Sequence, residues 1–395
     1  MSAGWKSIEF IHSGDLFLER TLHLINHAQR SIDLESYIFM ADEMGKLVLE
    51  ALSIAKKRGV QVRILIDGVG SGPHLKAIRD KAHLLDLEVK VFNPLPAVFV
   101  LGLFQTDLSN RKEMAQMLTS GFAKTISRLN RRNHRKSTIV DNEKAIIGGI
   151  NITDVTLEKV HGSKAWRDTS VLIESPEISE ISEAFRHAWT QSPFLTSPGA
   201  SQRAPKKIKF PSQNGSDGNI FLNDRPSLRK TYHKEFFHRI RSAHHRIYLV
   251  TPYFVPTRRL LKELAHAAAR GVQVQIILPE RSDVRILDFL KDPYIRFLCS
   301  KGVHIYQYPG RILHAKYAII DNLASVGSGN LNHRSLLHDL EVEATFPIGQ
   351  GLEDLERQWL IDLENSEETP LHRIIHRSFL KRIVAEFIFW FRYYL

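Results

Sequence analysis

The chain has 395 residues, 43% of them hydrophobic and 25% charged, which excludes an intrinsically disordered chain and gives room for two domains of ordinary size. It carries 54 Lys and Arg against 43 Asp and Glu, a net charge of +11 that favours an anionic partner: nucleic acid, an anionic lipid surface or a phosphorylated substrate. The single cysteine, Cys299, excludes an intrachain disulfide and a Cys-based zinc site and is expected to be a buried bystander.

The start, "MSAGWKSIEFIHSGDLF", has no basic segment leading into an apolar run, so no secretory signal is expected. No apolar run reaches the roughly 18 residues of a spanning helix, and a cytoplasmic chain is expected. "AQRSIDLESYIF" (28–39) reads as a strand. "GKLVLEALSIAKKRG" (45–59) has apolar residues at i, i+3, i+4 spacing and predicts a helix, with Gly59 where a helix end wants a left-handed residue. "VQVRILID" (60–67) predicts a second strand. Residues 91–106, "VFNPLPAVFVLGLFQT", carry no charge, and Pro94 and Pro96 argue against one regular helix; the run is either core or an apolar lip beside a cleft. "NRKEMAQMLTSGFAKTISRLNRR" (110–132) reads as a basic helix.

Residues 191–219 are rich in Pro, Ser and Gly and read as a linker. The plan then repeats. "AHHRIYLVTPYF" (243–254) resembles 28–39, and "AAARGVQVQIILP" (267–279) matches 55–67 with Arg-Gly-Val-Gln-Val identical, Gly271 answering Gly59. Strand–helix–strand units with short connections imply parallel neighbours in a sheet covered by helices. The expected organisation is an α/β half at 1–190, a linker at 191–219, a second α/β half at 220–365 and a tail at 366–395. Within that tail, 371–395 mixes His, Arg and Lys with Ile, Leu, Phe, Trp and Tyr; it suits a helix lying in a membrane interface or docked on the protein's own core.

The duplication includes chemistry. "HRKSTIVD" (134–141) and "HAKYAIID" (314–321) both read His-x-Lys-x-x-x-x-Asp, and their β-branched, apolar interiors predict strands. On a strand His134 and Lys136 share a face, as do His314 and Lys316. Asp141 and Asp321 have the opposite parity and precede Asn, so they are expected to finish the strand and brace the structure. Each motif leads into a Gly-rich turn, "AIIGGIN" (145–151) or "SVGSGN" (325–330), expected to let backbone approach a ligand and ending in Asn151 or Asn330. Halves packed face to face about a pseudo-two-fold axis would bring two imidazoles, two ammonium groups and two amides into one cleft. That set suits phosphoryl transfer through a covalent intermediate: one neutral imidazole attacks phosphorus, the other exchanges protons with the departing and incoming oxygens, and Lys and Asn bind the non-bridging oxygens. No metal or other cofactor is required. "GGIN" and "GSGN" lack a dinucleotide fingerprint, and no H-E-x-x-H zinc motif occurs.

The paired motifs resemble the signature of the phospholipase D superfamily over about residues 7 to 345. "LESYIFMADEMGKLVLEAL", "RILIDGVGS", "NRRNHRK", "WRDTSVLIESP" and "TPYFVP" are most similar to its bacterial cardiolipin synthase branch. The resemblance implies two mixed sheets with flanking helices, one active site at their interface and a phosphohistidine intermediate. It implies that His134, Lys136, Asp141, His314, Lys316 and Asp321 are the catalytic motif residues and that Asn151 and Asn330 contact phosphate. Asp168 of "WRD" fits an acid that orients a histidine. In the second half the family pattern R-S-x-x-x-N-x-E becomes "RSLLHDLE", which puts Glu341 in the orienting place, with Asp339, where Asn is usual, as its rival. His134 is expected to be the nucleophile and His314 the acid and base.

The superfamily also contains nucleases. The charge-free run at 91–106 and the basic, aromatic tail favour a lipid substrate over a nucleic acid. The expected function is a phosphatidyltransferase that makes cardiolipin from phosphatidylglycerol or a related phospholipid, peripheral to the cytoplasmic face of an anionic membrane. A hydrolytic phospholipase D, a nuclease of the superfamily and a lipid-binding protein on an inactive scaffold are the alternatives. The oligomeric state stays open.

Overall fold

A computed structural model describes residues 5–94, 131–195, 220–347 and 352–369. The first half supplies β1 (Ser7–Ile11), β2 (Ser31–Ser36), β3 (Gln61–Asp67), β4 (Val89–Phe92), β5 (Ser137–Val140), β6 (Lys144–Gly148) and β7 (Ser170–Glu174). They form one sheet in the order β1-β7-β6-β5-β2-β3-β4, with β2, β3 and β4 parallel and the other pairings antiparallel. The second half supplies β8 (Ile220–Leu222), β9 (Arg246–Val250), β10 (Gln273–Pro279), β11 (His304–Tyr308), β12 (Tyr317–Ile320), β13 (Leu323–Gly327), β14 (Val342–Pro347) and β15 (Glu367–Glu368). Their order, β15-β11-β10-β9-β12-β13-β14-β8, repeats the first sheet element for element, with β15 added at one edge. The parallel strands at the centre of each sheet follow from the duplicated strand–helix–strand plan, and the antiparallel strands beside them give the two mixed sheets flanked by helices that the resemblance implied.

The helix Glu43–Lys57 starts where the Asp42 carboxylate accepts from the Gly45 N–H at 3.1 Å, and its matching helix in the second half, Arg258–Ala269, is capped by Thr257. Both run into the glycines expected to end them, Gly59 at φ +91° and Gly271 at φ +87°. Helices cover the outer face of each sheet around separate cores, with Ile32, Leu34, Val48 and Leu52 in one and Ile247, Leu249, Leu260 and Leu264 in the other. The inner faces meet in a third core. There Ile147, Val171 and Ile173 of the first sheet join Val326, Ala344 and Phe346 of the second, and the Phe10 ring stands edge-on to Phe346 at 5.2 Å. Trp5 reaches across to donate its indole N–H to the Thr345 carbonyl at 3.0 Å. Apolar burial therefore holds the halves together as well as each half alone.

Three sequence expectations change. The tail expected from 366 begins inside the second sheet, because Glu367–Glu368 pairs antiparallel with β11. The basic helix expected at 110–132 does not extend through its last two residues: Arg131 and Arg132 lie on an extended approach to the first motif. Cys299, at the end of the helix Arg285–Cys299, is half-buried rather than buried. The rest of that basic segment, the apolar run beyond residue 94, the linker from 196 to 219 and the tail from 370 lie outside the described residues.

Candidate active site

The motif strands are shorter than expected. β5 and β12 start at Ser137 and Tyr317, so His134, Lys136, His314 and Lys316 sit on extended chain just before them. That chain pairs with the opposite half. The His134 N–H donates to the Leu340 carbonyl at 3.0 Å, and the Leu340 N–H donates to the Arg132 carbonyl at 2.8 Å. In the mirrored place the His314 N–H donates to the Arg167 carbonyl at 2.7 Å, and Arg167 N–H to the Ile312 carbonyl at 2.9 Å.

The side chains cross in the same way. Nδ1 of His134 lies 3.0 and 3.1 Å from the two carboxylate oxygens of Glu341, which belongs to the second half. Nδ1 of His314 lies 2.6 Å from Oδ2 of Asp168, which belongs to the first. A carboxylate that accepts Nδ1–H fixes the imidazole tautomer and turns Nε2 outward. Neither histidine can be oriented by its own half. Asp339, the rival to Glu341, is engaged elsewhere: it accepts from Arg334 Nε at 3.0 Å and from the Arg132 backbone N–H at 3.1 Å. Burial pushes its carboxyl up to about 7.

Both imidazoles, both ammonium groups and both orienting carboxylates are buried. Burial, aided by Lys136 and Lys316, pulls His134 down to about 4 against the opposing pull of Glu341. Burial also pulls Lys136 down to about 7, with Lys316 adding to the effect. His314 is lowered by burial and by Lys316, whose Nζ lies against its ring, 2.9 Å from Nδ1 and 3.3 Å from Nε2. Lys316 of the second half thus acts on both His134 and Lys136 of the first. Lys136 Nζ meanwhile donates to the His134 carbonyl at 2.7 Å, and Lys316 Nζ donates to the His314 carbonyl. The cluster sets two ammonium groups beside two imidazoles and two carboxylates in a dry place, where the lysines can meet the charge of a phosphate.

The amides differ. Asn151 accepts the Ile38 N–H at 3.0 Å and lines a cavity of about 200 Å³ that also touches Met40, Thr153, Trp166, Asp168 and His314. Asn330 is buried with its Oδ1 unpartnered among the described residues, beside Glu341. The Gly-rich turn of the first half was expected to admit a ligand, but Gly149 makes room for the orienting acid. A Cβ there would stand 2.1 Å from Oδ1 of Asp168.

Asp141 and Asp321 do not join the cleft, which corrects the catalytic role carried over from the motif. They cap the far ends of β5 and β12 at φ +54° and +49°. Asp141 accepts three backbone N–H groups, Gln29 at 2.9 Å, Arg30 at 2.7 Å and Ser31 at 2.9 Å; Asp321 accepts His244 at 2.9 Å, His245 at 2.9 Å and Arg246 at 3.0 Å. They pin the start of β2 and β9 to the end of the motif strand, the bracing that their parity implied.

Sequence reasoning missed the packing around the histidines. Tyr37 stands edge-on to His134 at 4.8 Å, and Trp166 and Tyr253 approach His314 at 5.4 and 5.9 Å. The tyrosines lie in the duplicated "SYIF" and "TPYF" stretches, so the repeat itself was a signal for them. Buried acids also hold the residues flanking His134. Asp67 pairs with Arg132 at 2.8 Å, while Glu35 accepts from Asn133 Nδ2 at 2.9 Å and pairs with Arg135 at 3.1 Å.

Among the described residues, no group of three or more His, Cys, Asp or Glu side chains is arranged to hold a metal ion, and no helix is long and apolar enough to cross a membrane.

The family model described as cardiolipin synthase, PLD-like domain, matches residues 21–189 and 236–348, each segment carrying one motif. The chain belongs to this family. Within the cardiolipin synthase family it is 30% identical to the cardiolipin synthase of Clostridium perfringens over 383 residues, which cover 95% of this chain and 74% of that one. Cardiolipin synthase 1 of Bacillus cereus is 27% identical, over 96% of this chain and 71% of its own. The crystal structure of phosphatidylserine synthase from Haemophilus influenzae superposes with a TM-score of 0.72 at 16% identity, covering 98% of this chain and 95% of that one. Polyphosphate kinase from Porphyromonas gingivalis reaches a TM-score of 0.54 at 11% identity, over 91% of this chain and half of that one. At these identities the two structures show a shared fold and nothing about substrate.

Proposed function

We propose that the protein is a phosphatidyltransferase that joins two phospholipids through a phosphohistidine on His134. The observation that carries this reading is the crossed pairing of each motif histidine with a carboxylate of the other half. It gives two differently placed imidazoles, each with Nε2 facing outward, among lysines suited to a phosphodiester. The membership in the cardiolipin synthase family supplies the substrate class.

In the first step Nε2 of His134 attacks the phosphorus of phosphatidylglycerol. The P–N bond forms as the P–O bond to the headgroup glycerol breaks, and His314 gives its Nε2 proton to the departing alkoxide. Its lowered pKa is no obstacle, because an anionic phosphodiester between Lys136 and Lys316 favours the protonated form. In the second step neutral His314 takes the proton from a hydroxyl of a second phosphatidylglycerol. That oxygen attacks phosphorus, the P–N bond breaks, and cardiolipin and neutral His134 result. The roles divide on space: the cavity adjoins His314, where the leaving and incoming alcohols need room, which leaves His134 as the nucleophile. Lys136, Lys316 and Asn151 bind the non-bridging oxygens, with Asn330 on the side of Glu341. The partner is an anionic membrane surface, met from one side by a peripheral enzyme.

Mass spectrometry of lipids from phosphatidylglycerol vesicles tests this. The protein should yield cardiolipin and glycerol in equal amounts, and His134→Ala neither. Phosphatidic acid in place of cardiolipin would make it a hydrolase, and cleavage of an oligonucleotide with no lipid product would make it a nuclease.

A further inference from the structure

Thr156 and Trp166 both line the cavity beside His314, so the chain between them leaves the cavity wall and returns to it. In between, all residues from Glu158 to Lys164 are exposed. Glu158 is held by Arg311 at 3.2 Å and Lys159 by Glu43 at 3.1 Å. His161 and Lys164 have no ion-pair partner among the described residues, and Val160, just before His161, is 43% exposed. A second exposed segment flanks His314 from the other half. The hydroxyl of Tyr253, whose ring is edge-on to His314, donates to Asp283 at 2.7 and 2.9 Å. Beside Asp283 stand exposed Arg281, Val284 and Arg285, with Val284 38% exposed and neither arginine paired among the described residues.

The two segments share a composition. Each has its acid turned to a partner, two basic residues without an ion pair among the described residues (His161 and Lys164 in one, Arg281 and Arg285 in the other) and one valine in solvent. Scattered surface Lys and Arg are ordinary, and so is a lone exposed valine. Basic residues around an exposed apolar tip, on two segments that lead to His314 from the two halves, one through the cavity wall and one through Tyr253, are a different pattern.

We propose that this rim docks on an anionic bilayer, with Val160 and Val284 entering the headgroup boundary and Lys164, Arg281 and Arg285 meeting lipid phosphates. Docking by the rim presents His314 and its cavity to the membrane, so that a headgroup enters without the lipid leaving the bilayer. A nucleic acid would satisfy the basic residues equally well but would leave both valines without a partner. This inference rests on the transferase reading for its choice of partner and extends it by naming the surface.

The test attaches an environment-sensitive fluorophore at V160C in a C299S background of the full chain. E143C, beyond the far end of β5, is the control position. The probes are phosphatidylcholine vesicles with or without phosphatidylglycerol. A blue shift at V160C on the anionic vesicles alone, absent at E143C, is expected. K164Q and R285Q should each weaken the vesicle titration about five-fold. An equal shift at E143C, an equal shift on pure phosphatidylcholine, or no shift at V160C while the chain floats with anionic vesicles would overturn the proposal. The readout needs no turnover. A chain that docks by this rim but makes no cardiolipin removes the transferase reading and leaves the docking surface standing, whereas one that turns over short-chain phosphatidylglycerol without docking removes the rim alone.

Discussion

Replacing Glu341 by glutamine isolates the crossed pairing. The side chain keeps its size and an acceptor oxygen but loses the charge that faces Nδ1 of His134 at 3.0 and 3.1 Å. A hydrogen bond to a charged group contributes about 1.5–3 kcal/mol, so loss of the charge alone slows His134 by about 10- to 150-fold. An amide that turned its NH₂ toward Nδ1 would also move the imidazole proton to Nε2, the attacking atom, taking the total toward about 10⁴. Asp168→Asn weakens His314 instead, whose work is proton transfer. The assay compares phosphatidylglycerol with an ester that has p-nitrophenol as leaving group, which departs without a proton. On the nitrophenyl ester Asp168→Asn should recover the first-turnover burst of nitrophenol, its second step still waiting on His314, and Glu341→Gln should lack a fast burst and stay slow on both substrates. Recovery by Glu341→Gln instead, or near-normal rates in that variant on both substrates, would refute the reasoning.

Other expectations follow from single contacts. Gly149→Ala puts a methyl 2.1 Å from Oδ1 of Asp168 and should lower transfer at least about 100-fold, with a loss of about 1–3 kcal/mol in a urea melt. Asp141→Ala and Asp321→Ala each strip three backbone donors of their acceptor, as loss of a helix cap does, and should cost about 1–2 kcal/mol of stability by urea titration while turnover of the folded protein changes little. On the nitrophenyl ester, kcat/KM should rise through a pH of about 4 as His134 loses its proton and fall through about 7 as Lys136 does; Lys136→Arg should remove the upper limb. Asp339 has a raised folded pKa, so its contribution to stability falls as pH climbs from its unfolded value near 4 to about 7. Asp339→Asn should therefore gain on the parent protein across that window, and melts at its two ends measure the difference.

The duplication was legible because identical words recur in it. Arg-Gly-Val-Gln-Val twice, with a glycine at each helix end, was enough to give a parallel strand pair joined by a helix in both halves. The paired motifs named the histidines and lysines, and parity foretold that the aspartates brace. The crossing was not legible. Periodicity describes one element at a time, and nothing in it says that Asp168 serves the histidine 146 residues further on while Glu341 serves one 207 residues back. Nor could alternation choose between Asp339 and Glu341, because residues two apart share a face of extended chain. Arg334 decides it by drawing Asp339 away. Gly149 looked like a ligand-approach glycine for a similar reason: the group that needs its space is distant in sequence.

The claim beneath all of this is that two imidazoles from two halves serve one phosphorus atom. Peptide mapping of His314→Ala after reaction with the p-nitrophenyl ester tests it most directly, since the intermediate should form there and then persist. The account predicts the phosphoryl adduct on the peptide that carries His134. An adduct elsewhere, or steady release of nitrophenol from His134→Ala with no adduct at all, would contradict it.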